Sequence, residues 1–189
     1  MKIEHTRTMA SELTTRAEQE EKIIEGYFAV FGKETELWPG AYEEVAPEAF
    51  RTSLDRDVRA LLNHNADIVL GRTKSGTLTL RADDVGLWGS SKINPDDTDA
   101  MNLWSRVQRG DVDQCSFGFN ILKEDTEHRE DGSIKWTLED VELWEVSPVT
   151  FPAYADTGIS ARKAQATAEE KRLTEQWRAK MKNKLRKED

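Results

Sequence analysis

A serine hydroxyl is a weak nucleophile near neutral pH. It becomes effective when a base, most often histidine, lies within hydrogen-bond reach and a third group orients that base. The chain has 189 residues and three histidines, so the choice of base is short. His64 stands between Asn63 and Asn65 at the end of the run Val58 to Leu62, and strand ends project side chains into clefts. His5 lies in a polar leader and His128 in a charged turn, both poorer settings for a base. Ser116 sits in Cys115-Ser116-Phe117-Gly118-Phe119, where the glycine lets a substrate backbone approach closely. The segment is not Gly-x-Ser-x-Gly, which excludes the α/β-hydrolase elbow. Each residue also has an ordinary reading, as a surface histidine and as a serine in a strand. Among 36 Asp and Glu residues no third partner stands out. One cysteine, Cys115, excludes an internal disulfide, and three histidines with it make a poor zinc set.

Short strands with turns between them surround these residues. The first strong strand signal is Ile23 to Phe31, rich in β-branched and aromatic residues and closed by Gly32. A loop with Trp38-Pro39-Gly40 follows, and Pro47 opens a short helix through Phe50. Further strands are read at Val58 to Leu62, Ile68 to Thr73, Thr77 to Arg81, and Gly86 to Ile93. Asn94-Pro95-Asp96-Asp97 predicts a helix start, Ala100, Leu103, Trp104 and Val107 give its apolar face, and Gly110 its stop. Gln114 to Lys123 and Ile134 to Val146 are the last strands, turned at Asp131-Gly132, with Pro148 and Pro152 ending the pattern. About seven strands with two short helices predict a mostly β, α+β fold built on a closed or nearly closed barrel.

The organisation expected is a flexible leader over residues 1–22, a folded domain over 23–162, and a basic amphipathic helical tail over 163–189. In the tail Leu173, Trp177, Met181 and Leu185 recur every four residues. From Ala161 to Asp189 there are ten Lys and Arg against five Asp and Glu. The whole chain has a net charge of -9, so the rest is strongly acidic. An acidic body is a poor surface for a phosphate backbone, so nucleic acid is not expected as the main partner. No apolar run approaches the roughly 20 residues that span a bilayer, and the polar N-terminus is unlike a signal peptide. No membrane partner is expected.

Four segments, in order, resemble the prohead protease family of tailed bacteriophages, a family related to the herpesvirus assembly proteases. Gly26-Tyr27-Phe28-Ala29-Val30-Phe31 is similar to its opening strand. Leu61-Leu62-Asn63-His64-Asn65 with Val69-Leu70-Gly71-Arg72-Thr73 and Ser75-Gly76-Thr77-Leu78 is similar to its histidine segment. Arg109-Gly110-Asp111-Val112 with Ser116-Phe117-Gly118-Phe119 is similar to its serine segment. Leu143 to Thr150 with Pro152-Ala153-Tyr154 is similar to its closing strand and turn. The resemblance implies a herpesvirus-protease-like β-barrel and a serine endopeptidase acting through an acyl-enzyme, without metal or cofactor. It implies Ser116 as nucleophile, His64 as base, and a third polar residue near the closing strand. Glu145 fits that place best, with Asp140 second and Glu142 a further candidate. The implied substrates are the scaffolding segment of the major capsid protein, or a separate scaffold, and the protease itself. The implied place of action is the assembling prohead in the host cytoplasm, with self-association expected. A second reading is a catalytically inactive capsid-assembly or scaffolding protein on the same fold.

Overall fold

The computed structural model describes residues 5–9, 13–18, 21–151 and 156–185. Its elements are β1 (His5–Met9), β2 (Thr14–Glu18), β3 (Glu21–Val30), β4 (Thr35–Trp38), β5 (Ala41–Val45), β6 (Arg59–Leu62), β7 (Asn65–Arg72), β8 (Leu78–Ala82), β9 (Gly86–Ile93), α1 (Thr98–Arg109), β10 (Gln114–His128), β11 (Ile134–Val149) and α2 (Asp156–Leu185). The protein is mostly β with few helices, as expected. The expected closed barrel of about seven strands is not what forms. Among the described residues, eleven strands divide between two sheets that do not close on each other. A seven-stranded sheet has the order β1-β10-β11-β5-β4, with β6 paired to β11 and β7 to β6; a four-stranded sheet has the order β2-β3-β9-β8.

Two of the extra strands, β1 and β2, come from polar segments that carry little apolar signal. Within residues 1–22, where a flexible leader is expected, His5–Met9 pairs antiparallel with β10 and Thr14–Glu18 with β3. Backbone ladders hold these polar segments, and their hydrogen bonds do not depend on side-chain hydrophobicity. Trp38-Pro39-Gly40, read as a loop, is the turn of the β4–β5 hairpin, with Gly40 at φ 81°. The helix expected at Pro47 is a series of turns. Bonds such as Ala49 N–H to Ala46 O and Arg51 N–H to Glu48 O reach three residues back. Pro148 lies inside β11 rather than ending it.

The α1 helix forms as its caps dictate. The Asp97 carboxylate accepts from the N–H groups of Asp99 and Ala100, and Gly110 takes the left-handed C-cap conformation at φ 79°. The core joins residues of both sheets and α1: Ile24, Phe28, Leu87, Leu103, Phe117 and Leu143 are all buried in it. Beyond residue 154 the chain forms a separate unit, the α2 helix, on which Leu173, Trp177 and Met181 are exposed. Pro152-Ala153-Tyr154 and residues 186–189 lie outside the described residues, as does the side chain of Leu185. Among the described residues, no helix is long and apolar enough to cross a membrane.

Candidate active site

Two long antiparallel strands, β10 and β11, form the floor of the site. Their register sets Ser116 opposite Ser147 and Gly118 opposite Glu145. Directly paired side chains share a sheet face, with Cβ atoms ~5 Å apart. Ser116, Gly118, Glu145 and Ser147 therefore lie side by side on one face. At the place beside Glu145, any side chain larger than glycine's would displace the carboxylate. A Cβ added at Gly118 would stand 2.4 Å from Glu145 Oε1 and 3.1 Å from its Cγ and Cδ.

His64 reaches this face from the other side of β11. Strand β6 runs parallel to β11, pairing Arg59 with Glu145 and Ala60 with Val146, and turns into β7 with Leu62 opposite Asn65. Only Asn63 and His64 lie between, with φ of 50° and 60°. Two left-handed residues in a two-residue hairpin loop are what a type I′ turn requires. Asparagine suits the first position; the second ordinarily takes glycine. The turn is tied to the end of β11. Asn63 N–H donates to Pro148 O at 3.0 Å, Thr150 N–H donates to Asn63 Oδ1 at 2.9 Å, and His64 N–H donates to Ser147 Oγ at 3.2 Å.

Holding a β-carbon at positive φ costs about 1 kcal/mol or more. His64→Gly and His64→Ala both remove the imidazole, so their difference reports the backbone alone. We expect the glycine variant to be more stable by about 1 kcal/mol in urea denaturation, against the usual order for non-turn positions. An alanine variant of equal or greater stability would mean that the turn is not strained.

From this turn, His64 Nδ1 lies 2.6 Å from Glu145 Oε1, and the other carboxylate oxygen accepts from Ser147 Oγ at 2.5 Å. Glu145 is 1% exposed, so its carboxylate is held by these two partners away from water. His64 Nε2 is buried and has no hydrogen-bond partner among the described residues. Ser116 Oγ donates instead to the carbonyl of Arg7 on β1, at 2.8 Å, and Ser116 is fully buried. The structure thus brings together His64 and Glu145, and sets Ser116 on the same face without a bond to His64.

The other acids considered lie elsewhere. Asp140 is paired with Lys123, not with the site end of β10, and accepts from Thr52 Oγ1 at 2.6 Å. Five residues of strand separate it from Glu145, about 17 Å at strand rise. Glu142 is ion-paired with Arg56 and accepts from Asn120 Nδ2. His5 lies on β1 with its ring against Phe119. His128 is exposed at the far end of β10. Sequence reasoning missed Ser147 and the space at Gly118. The spacing Glu145-x-Ser147 was a signal, since residues two apart on a strand share a face.

Gly118→Ala offers a check on this geometry. The added methyl must push the Glu145 carboxylate off His64, and misplacing a positioning group by ~1 Å costs about 10²-fold in rate. We expect kcat to fall about 100-fold while the circular dichroism spectrum stays native. An alanine variant with unchanged kcat would show that Glu145 need not sit where it does.

The arrangement has the parts of a serine hydrolase: a hydroxyl, an imidazole with one nitrogen open, and a carboxylate on the other nitrogen. Among the described residues no cluster of His, Cys, Asp or Glu could hold a metal. Comparison with known proteins leads the same way. The model of the caudovirus prohead serine protease family matches residues 8–172. The prohead protease of Enterobacteria phage HK97 is 29% identical over 171 residues, covering 88% of this chain and 72% of that protein. No solved structure matches. With residues 8–172 matched by the family's model, this chain belongs to the caudovirus prohead serine proteases.

Proposed function

We propose that the chain is a serine endopeptidase of prohead maturation, with Ser116 as nucleophile, His64 as general base and Glu145 as the residue that orients and charges His64. The contact of His64 Nδ1 with the buried Glu145 carboxylate, on the sheet face that also carries Ser116, with Nε2 unpartnered among the described residues, is the observation that carries this reading. A carboxylate on Nδ1–H fixes the tautomer that presents a bare Nε2 and stabilises the imidazolium formed during attack. Ser116 Oγ leaves the Arg7 carbonyl for another staggered rotamer and passes its proton to His64 Nε2 as it bonds the scissile carbonyl carbon. The imidazolium then protonates the departing amine. Water, deprotonated by the same imidazole, releases the acyl group and restores the serine.

Ser147 is a positioning residue in this scheme. It donates to Glu145 Oε2 and accepts from the His64 backbone, so one hydroxyl fixes both the carboxylate and the strained turn. The substrates are the scaffolding segment of the major capsid protein, or a separate scaffold, and the chain itself, inside the assembling prohead. Self-association of the protease on the assembling shell completes this reading.

Co-expression with the major capsid protein tests it. The capsid protein should be shortened beside the wild-type chain and remain full length beside Ser116→Ala. Shortening that persists with the variant, or a wild-type chain that never shortens its capsid protein, would favour an inactive assembly protein instead.

A further inference from the structure

We propose that the groove along β10 now filled by β1 is the substrate-binding seat, and that Glu43 makes it select an arginine or lysine at the residue whose carbonyl meets Ser116. This inference rests on Ser116 being the nucleophile.

The seat follows from the sheet order. One side of β10 is taken by β11. Among the described residues the other is paired with β1 alone, from His5 opposite Phe119 to Met9 opposite Cys115, so the pairing straddles Ser116. With β1 in place Ser116 is fully buried, and no capsid peptide can reach it. When β1 leaves, β10 becomes an edge strand with unpaired backbone groups. Such an edge takes an extended peptide by strand addition, with pockets reading alternate side chains.

Within β1, one residue meets both the nucleophile and a pocket. The Arg7 carbonyl accepts from Ser116 Oγ at 2.8 Å. The Arg7 side chain forms a two-pronged ion pair with Glu43, Nε against Oε1 and Nη2 against Oε2 at 2.9 Å. The guanidinium also lies 5.7 Å from the Phe119 ring centroid. Thr35, Leu37 and Val45 form apolar or neutral walls to this pocket, and Lys33 also lines it. Glu43 is 4% exposed. A carboxylate so far from water favours a side chain that brings a cation with donors. An acid in the pocket beside the scissile residue is how a serine protease selects a basic side chain. The leader thus occupies its own chain's active site in the manner of a substrate, and a capsid peptide with Arg or Lys at that position competes for the seat.

Synthetic decapeptides that differ only in one central residue, Arg, Lys, Gln, Leu or Glu, test this with the full chain and mass-spectrometric product mapping. We expect cleavage after Arg or Lys about 100-fold faster than after Gln, the scale of a desolvated charge pair. In Glu43→Gln the Arg-to-Gln ratio should fall below about 5-fold. A second readout needs no turnover. In Ser116→Ala, excess Arg peptide should speed hydrogen exchange at the His5–Met9 amides, and the Gln peptide should not. Ser116-dependent cleavage after residues other than Arg or Lys, or a basic preference that survives Glu43→Gln, would overturn the seat and leave the nucleophile standing. Cleavage that Ser116→Ala does not abolish would overturn both. No peptide cleaved and no change in leader exchange would overturn the seat.

Discussion

Ser116→Ala and His64→Ala should each lower kcat by about 10⁶-fold, and the double variant should be no worse than either single one. The reason is that in the proposed mechanism the two act as a unit. Without the imidazole the hydroxyl keeps its proton at the moment of attack, and without the hydroxyl the imidazole has no nucleophile to activate. What survives is the binding and polarisation of the scissile carbonyl. Ser116→Ala removes one bond to the Arg7 carbonyl and leaves the paired strands β10 and β11 intact, so its loss of activity should come with native thermal stability. His64→Ala also strips Glu145 of a partner and leaves alanine at positive φ, so it should be less stable than Ser116→Ala. The check is single-turnover cleavage of capsid protein by the purified variants. Losses that multiply in the double variant would mean that the two residues act independently.

Glu145→Gln should lower kcat by up to about 10⁴-fold without unfolding the protein. Glutamine has the shape of glutamate, so it fits the space left by Gly118 and still meets Ser147. It lacks the negative charge that stabilises the imidazolium, and its amide N–H₂ can favour the wrong histidine tautomer. Glu145→Asp keeps the charge but draws it back by one methylene, a misplacement worth about 10²-fold. The expected order is therefore wild type, then Asp, then Gln. Equal activity of the wild type and Gln forms would remove Glu145 from the mechanism.

The sequence made the local features of the site legible and hid the long-range ones. The α1 boundaries followed from Asp97 and Gly110, whose capping chemistry acts within one turn. His64 was placed at a strand end, as it is, but its φ of 60° depends on a turn that only strand pairing fixes. The resemblance ranked Glu145 above Asp140 and Glu142, but the contact of Glu145 with His64 depends on the parallel pairing of β6 with one end of β11. Residues distant in sequence meet there, and no local pattern records it. The barrel was expected because short strands with turns between them fit a barrel and two open sheets equally well. The leader strand β1 was invisible because His-Thr-Arg-Thr-Met has no apolar alternation. Its place is set by backbone pairing to β10 and by the ion pair of Arg7 with Glu43. The role of Gly118 needs its neighbour across the ladder, since a glycine in a strand is uninformative until the opposing side chain is known.

Covalent capture of the nucleophile tests the central claim most directly. A fluorophosphonate reacts with an activated serine, forming an oxygen–phosphorus bond with loss of fluoride, and depends on the same base as peptide hydrolysis. Under conditions where the chain cleaves capsid protein, peptide mapping should find one adduct, on Ser116. The adduct should be absent from His64→Ala and greatly slowed in Glu145→Gln. An adduct on Ser147, or a cleaving enzyme that takes no label on Ser116, would contradict the account.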